Sequence, residues 1–409
     1  MKSRKGVAPA LLLLATCSQS QPPKALGPRI ESTHAALGQV PPGETATWTR
    51  VSPPPGASPD PRYLQAAAFD ETRKVLVMFG GVSDPDSCGN WSVTGDLWEW
   101  DPAAGTWTNR TPSGSKPSPR AGTGMVFDST RKKFVIFGGT DMDQNDYQDT
   151  WEWDPTAGAF TDRTGSGPLP DARTEHSMVF EKSTGKVLLF GGEAIFGDNP
   201  PADTWEWDPG TGGWSKLAPT TAPSARFDSA MVWDSQRSRA VLFGGMEGGP
   251  DGNPQQDTWE WDPAHSTWTE RTAEGNKPTA RYGHAMAYDP GRGVTVLVGG
   301  WDIATGNGLA DVWEWDPTTA AWTLGLTGSE ANLPTGRWYA SLVTDSARNR
   351  LVLLAGETLS PPSLDPVASA EVWDWDPVAA TFTNRTPPSS HKAWPPRRGY
   401  HAIILCGGQ

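Results

Sequence analysis

Short runs of apolar residues recur along most of the chain, always in the same order of four. The first run opens with an arginine and continues in small and apolar residues, and the second is strongly apolar and ends in a glycine pair, as in FVIFGG at Gly139. The third is DTWEWDP, beginning at Asp149, and the fourth centres on a single aromatic residue, Phe160. Short β-rich runs separated by turn residues indicate strands. The pattern therefore predicts four antiparallel strands per repeat.

The four runs return at a nearly fixed spacing. Most equivalent positions lie 53 to 56 residues apart, and the spacing widens to about 60 at the two ends. Six repeats are complete, while an unpaired fourth run at Trp48 precedes them and an unpaired first run follows. Such a period is the signature of a repeat architecture. The opening arginines are Arg62, Arg120, Arg173, Arg226, Arg281, Arg337 and Arg398.

The third run shows how the repeats pack. In W-E-W the two tryptophans project to one side of the strand and the glutamate to the other, because side chains alternate along a strand. A single four-stranded sheet cannot bury that much aromatic surface, whereas sheets stacked radially in a closed ring can. The expected fold is all-β, a β-propeller. The glycine pairs, the arginines and the Asp-Pro turns are then architectural.

The recurring motifs also carry a family resemblance. R-x-x-H openings, F-G-G and D-x-W-x-W-D-P at this spacing resemble kelch repeats, the family that includes the propeller domain of galactose oxidase, over residues 48–409. The resemblance implies a kelch-type β-propeller of six or seven blades. We expect six complete four-stranded blades and a composite seventh closed by both termini, through Trp48 and the strand from Arg398. A six-bladed ring is the alternative.

The N-terminal segment indicates export. Three basic residues precede a short apolar run, which ends in Leu-Ala-Thr-Cys at Cys17 and resembles the lipobox of bacterial lipoproteins. Residues 1–17 are therefore predicted to be a signal peptide with lipidation at Cys17, and a conventional cleaved signal is the alternative. Residues 18–47, rich in Pro, Ser and Gly, suit a flexible tether. We expect a lipid anchor in the cell envelope, at the outer membrane or cell surface, or otherwise a secreted or periplasmic protein.

Charge and cysteine content narrow the partners. The formal net charge is −13 and there is no basic stripe, so the surface repels phosphate backbones and no nucleic-acid partner is expected. If Cys17 is acylated, Cys88 and Cys406 remain in an oxidising compartment. The ring would bring these ends together, which leaves a disulfide as an open question.

The loops of one face vary in length, and binding is expected there. Loops between the second and third runs differ widely, whereas the turns on the opposite face are nearly constant. Aromatic platforms beside Asp, Asn and Arg suit a saccharide or protein ligand. Alternatively, these aromatic residues only cap the blades against water. The candidate ligand-binding residues are Trp91, Trp301, Trp338, Tyr339, Trp394, Tyr63, Tyr282 and His284.

Two further patterns have structural explanations. The opening arginines are expected to pair with the acidic residue inside each W-E/D-W station, such as Glu99. The loop from Asp141 to Glu152 has oxygen ligands at EF-hand-like positions, but Asp146 stands where that loop needs glycine. No metal site and no cofactor are predicted.

Function is predicted only in outline. The sequence lacks a G-x-S-x-G elbow, an H-E-x-x-H helix and a P-loop, and the copper ligand set of galactose oxidase is not recognisable. The leading interpretation is a binding module for a saccharide or protein partner outside the cytoplasm. The alternatives are a sugar-active enzyme, such as the mutarotases among kelch propellers, and a structural scaffold of the envelope.

Overall fold

A computed structural model describes residues 58–83, 91–141, 143, 145–193, 201–248, 252–272, 274–329, 333–360 and 365–387. Within them the secondary structure is entirely β. The predicted signal peptide and tether, Cys17, Cys88 and Cys406, and the runs at Trp48 and Arg398 lie outside the described residues.

Six four-stranded antiparallel sheets, blades 1 to 6, follow one another along the chain. The innermost strands are β2 (Ala66–Asp70), β8 (Gly124–Asp128), β12 (Ser177–Glu181), β16 (Ala230–Asp234), β22 (Ala285–Asp289) and β29 (Ser341–Asp345). The second strands are β3 (Val75–Phe79), β9 (Lys133–Phe137), β13 (Lys186–Phe190), β17 (Arg239–Phe243), β23 (Val294–Val298) and β30 (Arg350–Leu354). The third strands are β6 (Leu97–Asp101), β10 (Thr150–Asp154), β14 (Thr204–Asp208), β20 (Thr258–Asp262), β26 (Val312–Asp316) and β33 (Val372–Asp376). The outermost strands are β7 (Thr106–Asn109), β11 (Ala159–Asp162), β15 (Gly213–Leu217), β21 (Thr267–Glu270), β27 (Ala321–Leu326) and β34 (Thr381–Asn384).

Shorter strands extend the loops of one face. They are β1 (Arg62–Tyr63), β4 (Val82–Ser83), β5 (Ser92–Val93), β18 (Met246–Glu247), β19 (Asn253–Pro254), β24 (Trp301–Asp302), β25 (Asn307–Gly308), β28 (Arg337–Trp338), β31 (Glu357–Ser360) and β32 (Asp365–Ala368). Most belong to the connections between second and third strands, which differ from blade to blade. We call this side the variable-loop face.

The core lies between the blades. Six clusters of buried apolar side chains are present in the described residues, and each joins two neighbouring blades. The second tryptophan of every W-E/D-W station is at the centre of such a cluster; Trp207 and Trp261, for example, are fully buried. Because each tryptophan needs the neighbouring sheet to bury it, the ring rather than the single blade is the unit that folds.

The ring closes between blades 1 and 6. Phe69 and Leu76 of blade 1 share a cluster with Val352 and Leu354 of blade 6. The amide of Gly356 donates to the carbonyl of Arg62 at 3.1 Å. Blades 6 and 1 are therefore neighbours in the part of the chain that the structure describes.

One joint repeats at every blade boundary. The arginine before each innermost strand is buried. Its guanidinium donates to an acidic side chain and to the carbonyl of the first residue of the glycine pair in its own blade, a residue that is glycine in blades 1 to 5. Its own carbonyl accepts a hydrogen bond from the amide of the second glycine of the preceding blade's pair. For Arg226 these partners are Gly244 O at 3.0 Å, Asp257 at 2.6 and 2.8 Å, and the amide of Gly192 at 3.0 Å. A Cβ on Gly191 would lie 2.4 Å from the Arg226 carbonyl oxygen, so only glycine fits this approach.

The arginine partners differ from those the sequence predicted. The guanidinium groups bind the acid that opens the third strand, not the acid inside W-E/D-W; the pairs are Arg62–Asp96, Arg120–Asp149, Arg173–Asp203, Arg226–Asp257, Arg281–Asp311 and Arg337–Glu371. Glu99 instead binds Arg73 and Arg110. The expectation was wrong because the arginine precedes the first strand and the inner acid lies further along the third, towards the opposite end of the blade. The prediction that the arginines are architectural agrees with their burial.

Candidate functional site

Two residues after each joint arginine, the backbone turns into the left-handed region. The positions have φ between 53° and 61° and are Leu64, Gly122, Glu175, Asp228, Gly283 and Tyr339. Each is followed by an innermost strand. We call these six residues the mouth ring.

Backbone hydrogen bonds connect the mouth ring from blade to blade. The amides of Gly122, Glu175 and Asp228 donate to the carbonyl of the preceding member at 2.9, 2.8 and 3.0 Å. The same bond links Gly283 to Asp228 at 3.1 Å and Tyr339 to Gly283 at 2.7 Å. At the closing boundary, the side-chain amide of Gln65 donates to Ser341 Oγ at 2.9 Å. The backbone of the mouth is thus constant while its side chains differ.

Two carboxyl groups and a tyrosine meet across this ring. Tyr339 of blade 6 donates its hydroxyl hydrogen bond to Asp228 Oδ2 of blade 4 at 3.0 Å. Glu175 of blade 3 is its neighbour on the mouth ring, and the two carboxyl groups are close enough to influence each other's pKa.

The surroundings raise the pKa of several acids. Burial, followed by repulsion from Glu193, raises the pKa of Asp228 to about 8, against the lowering effect of its hydrogen bonds. Burial and repulsion from Asp228 and Glu193 raise the pKa of Glu175 well above its usual range. The pKa of Glu193 rises to about 7 through burial and the charge of Asp146. Because like charges and desolvation act together, the mouth is an acidic site that is partly neutral near pH 7.

Aromatic side chains line the neighbouring part of the mouth. Tyr63 stacks on Tyr339 with ring centroids 6.2 Å apart and planes at 24°, and the exposed Trp91 meets Tyr63 edge-on at 6.1 Å. The ring centroid of Tyr282 lies 6.4 Å from that of Tyr339. Burial and the charges of Asp228 and Glu175 raise the pKa of Tyr282 to about 12, so its hydroxyl stays protonated. The structure brings together these four predicted residues.

The other predicted site residues lie elsewhere. Trp301 packs edge-on against Trp338 at 4.5 Å behind the mouth, and Trp338 is buried, so it supports the loops and offers no open platform. His284 is a core residue against Phe243, and burial lowers its pKa to about 3; its placement among ligand-binding residues was wrong, because the R-x-x-H position points between blades. Trp394 lies outside the described residues.

The sequence analysis missed Glu175, Asp228 and Glu193. The repeat alone gave no signal. The position two residues after the arginine reads Leu, Gly, Glu, Asp, Gly and Tyr, but the position before it reads Tyr, Ala, Thr, Phe, Tyr and Trp and the position after it reads Gln, Thr, His, Ser, His and Ala. Glu193 follows the glycine pair of blade 3 and faces Thr174 through a backbone bridge.

The acidic loop after Gly139 is occupied by its own contacts. Asp141 accepts bonds from the amides of Asp143 and Asn145, both at 2.9 Å, and from the hydroxyl of Tyr147 at 3.0 Å. Asp149 belongs to the arginine joint. No group of three or more His, Cys, Asp or Glu side chains in the described residues is arranged to hold a metal ion. Nor do these residues include a helix long and apolar enough to cross a bilayer.

A closed ring of radially packed four-stranded sheets with a repeated arginine joint defines a β-propeller of the kelch type. The sequence matches the KLHDC2/KLHL20/DRC7 Kelch-repeats domain over residues 87–288 and 234–409. The chain belongs to the kelch-repeat family.

Three eukaryotic proteins are among those to which the chain is similar. The chain is 29% identical to host cell factor 1 of Rattus norvegicus over 278 residues, covering 62% of this chain and 12% of that protein. It is 29% identical to the Rab9 effector protein with kelch motifs of Xenopus laevis over 201 residues, covering 45% of this chain and 51% of the other. It is 27% identical to host cell factor 2 of Homo sapiens over 327 residues, covering 74% of this chain and 38% of that protein. The chain spans about half or less of the length of these relatives.

Proposed function

We propose that this propeller is a binding module that recognises a protein partner through the mouth ring and the variable-loop face. One observation carries the proposal: six structurally equivalent positions with a constant backbone hold four different side chains and two glycines. Four of the six are not glycine although the backbone there favours it, at a cost of about 1–2 kcal/mol each. Side chains retained against such a cost are a reason to infer function at this position.

The relatives support a protein partner. One is named as an effector of Rab9, which is itself a protein, and the family model matches most of this chain. The exposed Trp91 and the tyrosines beside it provide the aromatic contacts that dominate protein interfaces.

A peptide-display selection tests this function. A random peptide library would be panned against the full chain and the binders measured on the variant Tyr63→Ala/Trp91→Ala. We expect the affinity to fall at least about tenfold, because truncating an aromatic anchor costs roughly 2 kcal/mol or more. The matched control is Val378→Ala, an exposed apolar residue in a turn of the opposite face.

The result is decisive if thermal unfolding shows both variants folded. Peptides whose affinity is unchanged in Tyr63→Ala/Trp91→Ala but which no longer bind Val378→Ala would place recognition on the other face and refute the proposal. A library that yields no binder above background would refute it as well.

A saccharide is the second candidate ligand. The stacked Tyr63 and Tyr339, beside hydroxyl and carboxyl groups, could hold a sugar ring by its apolar face and its hydroxyls. Glycan-array binding that disappears in Tyr63→Ala would favour it. The neighbouring carboxyl groups of Glu175 and Asp228, whose pKa values are raised, could also serve as acid and base in a sugar-active enzyme. Mutarotation of simple sugars followed by NMR, abolished in Asp228→Asn, would favour that alternative.

We place this module outside the cytoplasm, tethered by a lipid on Cys17, on the basis of the N-terminal signal and lipobox-like sequence. In this arrangement the partner is an envelope or extracellular protein. Labelling of producing cells with a radioactive fatty acid tests the anchor: incorporation in the wild type that is lost in Cys17→Ser supports it, and no incorporation in the wild type excludes it.

A further inference from the structure

The mouth has two chemically different halves. Blades 6 and 1 contribute the stacked Tyr339 and Tyr63, and blade 5 adds Tyr282. Blades 3 and 4 contribute Glu175 and Asp228. The charges of Asp146 and Glu193 act on this half, and the charge of Glu357 acts on Tyr282 in the other. Gly122 and Gly283, which lack side chains, separate the halves on the mouth ring.

The two halves are in direct contact. The Tyr339 hydroxyl reaches from the aromatic half to Asp228 at 3.0 Å, so a group that touches the tyrosine faces is within reach of the carboxyl groups. Asp228 is buried, whereas Glu175, Tyr339, Tyr63 and Tyr282 are each partly accessible. A ligand entering from the variable-loop face therefore meets aromatic carbon on one side and carboxyl oxygen on the other.

We infer that the mouth recognises an arginine side chain of the protein partner, whose guanidinium group contacts the accessible tyrosine faces and the carboxyl groups at the same time. This inference rests on the proposed function. The guanidinium group is planar, stacks on aromatic faces and donates up to five hydrogen bonds in a geometry that matches carboxylates. A neutral sugar would use the aromatic half but would leave the charge of the acidic half unbalanced, which is why a cation fits both halves better.

Binding of a cation competes with the proton of the carboxyl pair. The groups that face the pair are Tyr339 and Tyr282, which stay protonated, and the acids Glu193 and Asp146. A raised pKa means that the acid is neutral below it and charged above it, so the affinity for a cation must rise with pH. The pKa of Asp228 at about 8 places the change between roughly pH 7 and 9.

The test uses two short peptides, acetyl-Gly-Arg-Gly-amide and acetyl-Gly-citrulline-Gly-amide, titrated into the full chain by calorimetry at pH 8.5 and low salt. Citrulline keeps the shape of arginine but has no charge. We expect the arginine peptide to bind at least about tenfold more tightly, as charge-assisted hydrogen bonds provide. The preference should fall to within about twofold in Glu175→Gln/Asp228→Asn. It should persist in the control Glu270→Gln, an exposed acid on the outermost strand β21.

Each outcome separates this inference from the proposed function. Equal binding of the two peptides, or a preference that survives in Glu175→Gln/Asp228→Asn, overturns the arginine inference. If display binders still depend on Tyr63 and Trp91 in that case, the protein-binding function stands without it. Tyr339→Phe gives a second check should the double variant fold poorly. It keeps the aromatic side chain and removes only the hydroxyl that donates to Asp228. The preference for the arginine peptide should therefore remain at least about fivefold. Complete loss of the preference in Tyr339→Phe would count against recognition by both halves together.

Discussion

The arginine joint and the mouth ring lie two residues apart in every repeat, yet they follow opposite rules. At the joint, Arg226 is fully buried, and the equivalent residue is arginine in each described blade. At the mouth ring, the equivalent residues share a backbone conformation and little else. The joint side chains are fixed because neighbouring blades are bonded through them, and the mouth side chains are free to differ because the belt of backbone bonds holds the blades without them. Stability and recognition are thereby separated within one motif.

Breaking one joint is expected to have the largest effect. Replacing Arg226 by methionine leaves Asp257 without its bidentate partner and Gly244 without a donor. Removing one member of a buried ion pair costs about 3–5 kcal/mol. The free energy of unfolding from urea denaturation would show the loss, whereas Asp228→Asn at the mouth should change it by less than about 1 kcal/mol. Similar losses in the two variants would mean that the two regions are not distinct.

A buried acid gives a pH-dependent difference between blades. In blade 3, Glu181 stands where other blades have aspartate, and Thr184 stands where they have the arginine that pairs with it. Burial raises the pKa of Glu181 to about 7, despite bonds from Thr184 and the indole of Trp261. The folded protein therefore binds more protons than the unfolded chain between pH 4.5 and 7, and stability falls as pH rises through that window.

Substitution by glutamine isolates this contribution. Glu181→Gln should remove up to about 3 kcal/mol of the stability lost between pH 4.5 and pH 8, measured as the change in unfolding free energy. The exposed Glu71→Gln is the matched control and should leave the pH dependence unchanged. An identical pH profile for Glu181→Gln would contradict the assignment.

Removing a mouth side chain should increase stability slightly. Glu175→Gly relieves a left-handed backbone at φ 57° and takes a carboxyl group with a raised pKa out of the acidic half. The expected gain is about 1 kcal/mol in the free energy of unfolding at pH 7, with loss of arginine-peptide binding. Glycine already occupies this position in blades 2 and 5. A loss of stability in Glu175→Gly would show that this residue belongs to the architecture.

The smallest effect concerns the boundary that closes the ring. Trp214, Trp268 and Trp322 of the outermost strands each donate to a threonine of the preceding blade, and for Trp214 and Thr150 the distance is 2.9 Å. In the two blades whose outermost aromatic residue is Phe160 or Phe382, the residue of the preceding blade that is equivalent to this threonine is Leu97 or Val312, respectively. In the described blades, tryptophan thus goes with threonine and phenylalanine with an aliphatic residue. Trp107 is the exception there, because its partner across the closing boundary is Val372.

Restoring the missing acceptor should stabilise the closure. Val372→Thr is expected to add about 0.5–1 kcal/mol, the usual net value of a hydrogen bond, seen as a small rise in melting temperature. The reverse change Thr150→Val leaves the Trp214 indole without its acceptor and should cost about 1–3 kcal/mol. A destabilised Val372→Thr would mean that the closing boundary has a geometry of its own.

Most of the fold could be predicted from the sequence, because the same physical requirement is repeated in every blade. W-E-W shows that the tryptophans need a neighbouring sheet, and the glycine pair marks a close backbone approach; both predictions agree with the structure. The partners of the arginines could not be read in the same way. The spacing of Arg226, Asp257 and Glu260 places both acids on one strand, and only the register decides which end meets the guanidinium.

The site could be predicted only in part. Tyr63, Tyr282 and Tyr339 were named as candidates because aromatic residues outside the repeat consensus are conspicuous. Glu175 and Asp228 were missed because contacts across the axis join residues more than fifty positions apart, and no local pattern reports them. His284 was misplaced because the strand-opening motif was taken to face the mouth, whereas the residue after the mouth ring turns into the boundary between blades.

Hydrogen–deuterium exchange of the full chain with a display-selected peptide bound tests the central claim most directly. The account predicts slowed exchange in the segments that contain the mouth ring, such as residues 62–66, 173–177 and 226–230, together with the loop at Trp91. The turns of the opposite face, such as residues 262–267 and 376–381, should exchange as in the free protein. Protection confined to those turns, with an unchanged mouth, would contradict the separation of joint and mouth on which the account depends.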